Sequence, residues 1–166
     1  MEMLDIVNEH DQVIGQKNRS EVYREHLKNF RVINAFLVNS KNEIWIPRRS
    51  DTKKLFPLCL DTSVGGHVSA GESYEEAFKR ELQEELNIDS SEIVYTMIAQ
   101  LNPYTDNLSA FMHVYLINTE KSPEYNTDDF ISAAWYSIAE LEKIIEQGEK
   151  TKGDLPRLVT ILKEIL

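Results

Sequence analysis

The chain has 166 residues, enough for one domain with its own core, and its 42% hydrophobic and 28% charged content is ordinary for a globular protein. A formal charge of −10 excludes the basic footprint of a dedicated nucleic-acid-binding domain, and no apolar run approaches the length of a membrane span. The opening MEMLDIVNEH lacks the basic-then-apolar pattern of a signal peptide, and the single cysteine, Cys59, allows no internal disulfide, so a cytoplasmic location is expected.

In chain order, Met3–Val7 and Gln12–Gly15 alternate in polarity around Asn8–Asp11 and predict an N-terminal hairpin. Ser20–His26 is polar and reads as a short helix or an irregular connection. Val32–Val38 (VINAFLV) is a near-continuous apolar run, the pattern of a strand buried on both faces. The turn Asn39–Asn42 leads to a partner strand, Glu43–Pro47, and a charged loop follows at Ser50–Pro57. Ser73–Leu86 is the clearest helix, with Ser73 and Glu76 spaced as a capping box and Phe78, Leu82 and Leu86 forming one apolar stripe. Strands are expected at Ile93–Gln100, Ala110–Ile117 and Ile131–Tyr136, with the loop Leu101–Ser109 between the first two. Helices follow at Ile138–Glu146 and Arg157–Leu166. No repeat or linker interrupts this series, so residues 1–166 are expected to form a single domain, a sheet covered by helices on both sides.

One helix face is unusual. At 100° per residue, Glu81, Glu84 and Glu85 fall within an arc of about 100°, next to the apolar stripe rather than opposite it. Like charges at these spacings repel by a few tenths of a kcal/mol per pair, and only Arg80 adjoins them. Three converging carboxylates suit a hard divalent cation such as Mg²⁺. The plain alternative is an acidic, solvated helix face.

The spacing around this helix decides between them. In GGHVSAGESYEEAFKRELQEELNI, residues Gly66, Glu72, Arg80, Glu81, Leu82, Glu84, Glu85 and Ile88 resemble in register the Nudix box, here residues 66–88. The family's second glycine is replaced by Asn87, at a helix end where a left-handed residue is expected and Asn is the best substitute. The resemblance implies an α/β/α sandwich with a mixed sheet, and a helix presenting carboxylates to Mg²⁺ or Mn²⁺. It makes Glu84 and Glu85 the principal ligands and Glu81 a ligand or the base that activates water. A Gly65–Gly66 turn would bring a backbone carbonyl, that of Gly66, to the metal. Arg80 and Glu72 would buttress the loop by pairing with each other or with a box glutamate. The implied activity is hydrolysis of a diphosphate linkage in a small molecule, a nucleoside-diphosphate derivative or a related organic diphosphate, and homodimers are common in the family.

The run RRSDTKKLFPLCLDTSVGGHVSAGE is similar to the isopentenyl-diphosphate isomerase-like branch, which raises an isomerase as the alternative. The isomerases carry a catalytic cysteine two residues before the histidine of this segment, and here that position is Gly65. Of their paired N-terminal histidines, His26 matches the first, while the second position is Ile33. Hydrolysis is therefore the expected reaction. A non-catalytic nucleotide-sensing module, the remaining alternative, would be expected to have a broken box.

Other residues carry two readings each. Arg48, Arg49, Lys53 and Lys54 are candidates for diphosphate contact, or are solvated strand-end cations, and Arg48, Arg49 and Lys54 are taken as the substrate-binding set. Asp129 is a candidate additional ligand or base. His67 either touches metal or phosphate or packs within its loop. Trp45, Tyr104 and Trp135 are expected to pack in the core or rim rather than stack on a base. Specificity is expected to reside in Leu101–Ser109 and Lys121–Asp129.

Overall fold

The computed structural model describes residues 2–166. Strands β1 (Met3–Val7) and β2 (Val13–Asn18) form an antiparallel hairpin. A short helix, α1 (Arg19–Arg24), follows directly, capped by the Asn18 side chain. The main sheet contains β3 (Arg31–Val38), β4 (Glu43–Arg49), β5 (Val64–His67), β6 (Val94–Leu101), β7 (Phe111–Asn118) and β8 (Phe130–Ser137). Its order is β6-β7-β3-β4-β8, with β3 and β7 parallel and the other pairs antiparallel.

Helix α2 (Tyr74–Leu86) covers one face of the sheet, and α4 (Ile138–Glu146) and α5 (Leu155–Ile165) cover the other. The central strand β3 explains both layers. Ile33, Ala35 and Leu37 pack with Phe78, Leu82 and Leu86 of α2, whereas Phe36 and Val38 pack with Leu141, Leu158 and Leu162. The period-2 alternation of a strand thus feeds two cores from one apolar run. A smaller third core, Leu4, Ile6, Val22, Phe30 and Ala110, docks the hairpin and α1.

The feature that positions the site is a fork on one edge of β3. Strand β4 pairs with it only at Val38–Ile44, and β5 takes over that edge from Ala35–Val64 to Val32–His67. At the parting, the fully buried Ser63 closes the gap: its Oγ accepts from Leu37 N at 3.0 Å and donates to Trp45 O at 2.5 Å. Backbone groups that lose a strand partner are thereby satisfied by a side chain.

Several boundaries differ from the sequence reading. β2 runs on to Asn18 and β4 to Arg49. Helix α5 starts at Leu155, before Pro156, because a proline is tolerated in a first turn where its missing N–H has no partner to lose. Three elements were not expected: β5, so rich in glycine that strand propensity gives no signal, a 3-10 turn at Ser90–Glu92 capped by Asp89, and the one-turn helix α3 (Pro103–Asp106), capped by Asn102. Gly65 and Gly66 accordingly lie in an extended strand and not in a turn. At α2, Ser73 Oγ accepts from Glu76 N at 3.1 Å as the capping pattern predicts, while the complete reciprocal box forms at α4, between Ser137 and Glu140. Asn87 ends α2 in the left-handed conformation, φ 55° and ψ 32°.

Candidate active site

Helix α2 lies against β5, so its glutamates face the two glycines. The wheel predicts their order of burial, because Glu85 stands only about 20° from Phe78 and Glu84 lies farthest from the stripe. Glu85 is 8% exposed and the Glu84 side chain 57% exposed. Glu85 Oε1 accepts the Gly65 amide at 2.9 Å. Glu81 packs over Gly66 so closely that a Cβ there would overlap its carboxyl group. Burial raises both carboxyls: Glu81 is pushed up to about 7, against the pull of Arg80, and Glu85 well above the usual range, with the charge of Glu81 adding to the effect.

Arg80 is the hub. Its Nε and one terminal nitrogen grip both oxygens of Glu72 at 2.8 and 2.9 Å, and it also reaches the His67 carbonyl at 3.0 Å. Its other terminal nitrogen reaches Glu81 Oε1 at 2.7 Å and Glu84 Oε2 at 3.3 Å. Glu72 in turn accepts the Ser69 amide, and the fork-to-fork pair with Arg80 holds its carboxyl below the usual range. Glu72 and Arg80 therefore tie the loop after β5 to the helix that carries the acids.

Among the described residues no three Asp, Glu, His or Cys side chains stand as one ready-made ligand set, because Arg80 engages Glu81 and Glu84 and the Gly65 amide engages Glu85. The donor chemistry nonetheless fits a hard divalent cation. The half-buried Glu81 and the buried Glu85 lie beside a glycine whose missing side chain leaves the space that Glu81 fills, and a cation there would offset the cost of burying their charge, the main cause that raises both acids.

Beyond Gly66 a cavity opens toward α1. Its inner part is bounded by Asn34, Asp61, Thr62, Gly66, His67 and Lys152. The outer part, about 330 Å³, lies between α1, the loop carrying Leu55 and Phe56, and residues 152–154. His67 stands where the two meet, stacked on Phe30 and sharing a 2.7 Å hydrogen bond with the Tyr23 hydroxyl. Burial drives its pKa down to about 3, with Arg19, Lys152 and Arg80 adding repulsion, so the ring is neutral.

The basic residues of the 48–54 segment are mostly engaged elsewhere. Arg48 binds the Leu58 carbonyl and Glu149, and Arg49 binds the Leu55 carbonyl and the buried Asp61. Lys53 pairs with Asp129 at 2.6 Å, and Lys54 is exposed on the outer rim opposite Glu2 and Arg19. Asp129 nevertheless approaches Glu85 closely enough to help raise its pKa. This proximity arises because the 124–129 segment docks on the end of α2, with Asn126 N donating to Glu85 O and Asn87 Nδ2 to Glu124 O. Trp45 is buried in the core, and the Trp135 indole donates to Ser122. Arg19, Tyr23 and Lys152 were not singled out from the sequence: they stand in separate polar segments with no motif, and only the fold brings them to one cavity.

Comparison with known proteins bears on this arrangement. The model of the NUDIX domain matches residues 28–157. A protein of Nostoc sp. named an uncharacterized Nudix hydrolase is 52% identical over 159 residues, covering 96% of this chain and 94% of its own. A Nudix hydrolase of Deinococcus radiodurans is 45% identical over 158 residues, covering 95% and 92%. A crystal structure from D. radiodurans, at 45% identity, superposes with a TM-score of 0.91 over 96% of this chain and 98% of that one. An isopentenyl-diphosphate Delta-isomerase of Photorhabdus laumondii is more distant, 25% identical over 155 residues, 90% of this chain and 88% of its own. With the helix of glutamates, its facing glycines and a family match over most of its length, the chain belongs to the Nudix hydrolase family.

Proposed function

We propose that this chain hydrolyses a diphosphate linkage in a nucleoside-diphosphate derivative or related organic diphosphate, using Mg²⁺ or Mn²⁺ held by Glu81, Glu84, Glu85 and the Gly66 carbonyl. The observation that carries this reading is the pair of half-buried Glu81 and buried Glu85, packed against the two glycines of β5 at the edge of a cavity. A bound divalent cation would neutralise the diphosphate and lower the pKa of a water molecule.

The chain's own groups supply the rest. Glu81 is the candidate proton acceptor, standing between Arg80 and Gly66. Arg80 and Glu72 hold it in place, and Glu84, on the exposed side, would exchange its 3.3 Å contact with Arg80 for a metal ion. An isomerase is disfavoured because Gly65 stands where that branch carries its catalytic cysteine. A Cβ there would lie 2.8 Å from Asn34 Oδ1 and 3.1 Å from Thr62 Oγ1, leaving no room for a thiol.

The test is a panel of organic diphosphates assayed with Mg²⁺ and with Mn²⁺, reading phosphate or nucleotide release. Glu84→Gln and Glu85→Gln are expected to lower kcat at least a hundredfold, in keeping with the loss of charged groups acting on the transition state. Full activity of Glu84→Gln with excess metal would sink the assignment. Dimethylallyl diphosphate formed from isopentenyl diphosphate would instead support the isomerase.

A further inference from the structure

The charge distribution around the cavity runs against that of the whole molecule. In a chain of net charge −10, the outer cavity is bordered by Arg19, Lys28, Arg49 and Lys152 against one acid, Asp154. That acid is already committed, since both its oxygens accept from Ser109. A cleft lined by one sign of charge between low-dielectric walls concentrates a ligand of the opposite sign.

We propose that Lys152, with Arg19 opposite it, receives the anionic end of the substrate, and that the outer cavity holds the organic group attached to it. This rests on the hydrolase reading and moves substrate contact away from Arg48, Arg49 and Lys54. Lys152 is held in place by its backbone: Leu60 N donates to Lys150 O at 2.9 Å and Lys152 N to Leu60 O at 2.8 Å. Its side chain borders the inner cavity together with Gly66 and His67, as well as the outer one.

The neighbouring acid leaves its ammonium group available. Asp61 Oδ2 is 3.9 Å from Lys152 Nζ and already takes Arg49 at 2.8 Å, while Oδ1 accepts the Thr62 amide at 2.7 Å. Arg19 is only loosely tied to Glu2, at 3.5 Å, and lies over the Tyr23 ring. By contrast, the guanidinium groups of Arg48 and Arg49 bind loop carbonyls. The organic group then meets Leu27, Leu55 and Phe56. At about 330 Å³ the space is at the low end for small-molecule pockets, which points to a diphosphate bearing one compact, partly apolar group.

The experiment uses methylenediphosphonate, a non-hydrolysable diphosphate, titrated calorimetrically into the full chain with excess Mg²⁺. Lys152→Met is expected to weaken binding at least tenfold with an unchanged melting temperature, and Lys152→Arg to recover it to within about threefold, as for a charge-assisted hydrogen bond. Phe56→Ala is expected to raise KM for a cleaved organic diphosphate several-fold while leaving methylenediphosphonate affinity intact. Parental affinity in Lys152→Met overturns the proposal, as does equal loss in Met and Arg variants, or no binding by the parent. Because methylenediphosphonate binding is read without turnover, the Lys152 result stands even if every diphosphate in the substrate panel is left uncleaved.

Discussion

Gly65 and Gly66 do different work although they are adjacent. The space above Gly66 belongs to Glu81, whereas the space beside Gly65 is filled by Asn34, whose Oδ1 accepts from Thr62 Oγ1 at 2.7 Å. A methyl group at 65 must push on that buried pair from 2.8 Å. We therefore expect Gly65→Ala to destabilise the fold by about 1–3 kcal/mol in urea unfolding, the usual range for overpacking. Gly15→Ala, where a Cβ meets nothing, serves as the control. An unchanged midpoint for Gly65→Ala would show that the Asn34 pocket yields. At this scale the sequence was legible where one element carries the information: the wheel sets Glu81, Glu84 and Glu85 in one arc beside the apolar stripe. It was silent on Lys152, whose significance depends on contacts with residues about ninety positions earlier in the chain.

Among the elements, α2 was the most legible, because cap, stripe and acids share one continuous segment. Its C-terminal end illustrates how a departure from the family pattern is accommodated. Asn87 adopts a left-handed backbone and uses its side chain to hold Glu124 O at 2.7 Å. Replacement by alanine removes that bond and places an ordinary residue at φ 55°, which costs about 1–2 kcal/mol. Asn87→Gly loses the bond but relaxes the backbone, so it should lie within about 0.5 kcal/mol of the parent. Denaturant unfolding of the pair checks this, and equal effects of Ala and Gly would show the side-chain bond to dominate. The element that escaped the sequence was β5. Its glycines weaken every local signal, and its place is set by a gap in the sheet that no local window contains.

For the whole molecule, the question is how an N-terminal hairpin in a separate sheet is fastened to the body of the domain. The answer is a cluster around Asp11, at the hairpin turn. Arg31 Nε donates to Asp11 Oδ1 at 2.7 Å, the Tyr74 hydroxyl donates to Oδ2 at 2.7 Å, and Tyr74 stacks on His113 with ring centres 3.5 Å apart. One carboxylate thus joins the hairpin, β3 and α2. Asp11→Ala takes the carboxylate from a mostly buried arginine, which keeps only its bond to the residue 11 carbonyl, and from the Tyr74 phenol. We expect a loss of about 1.5–3 kcal/mol in thermal or urea unfolding, the range for hydrogen bonds to charged groups. Asp11→Asn should lose less, since it keeps the hydrogen-bonding shape and suits the positive φ of 58°. The hairpin itself and the two-sided sheet were readable from alternation and apolar runs. The staple was not, because its four residues are joined only in three dimensions.

The fork on β3 ties catalysis to folding cooperativity. The strand that carries Gly65 and Gly66 is laced on one edge to the central strand whose other edge holds β7, so the floor beneath the glutamates is anchored directly to the middle of the sheet. Flexible binding regions usually open on their own, well below the free energy of global unfolding. Here the floor is fastened by a ladder running from Ala35–Val64 to Val32–His67, whereas the wall at Leu55 and Phe56 is exposed and lies outside any strand or helix. We therefore expect the wall to open locally more readily than the floor, which slower amide hydrogen exchange at Gly65 and Gly66 than at Leu55 and Phe56 would check.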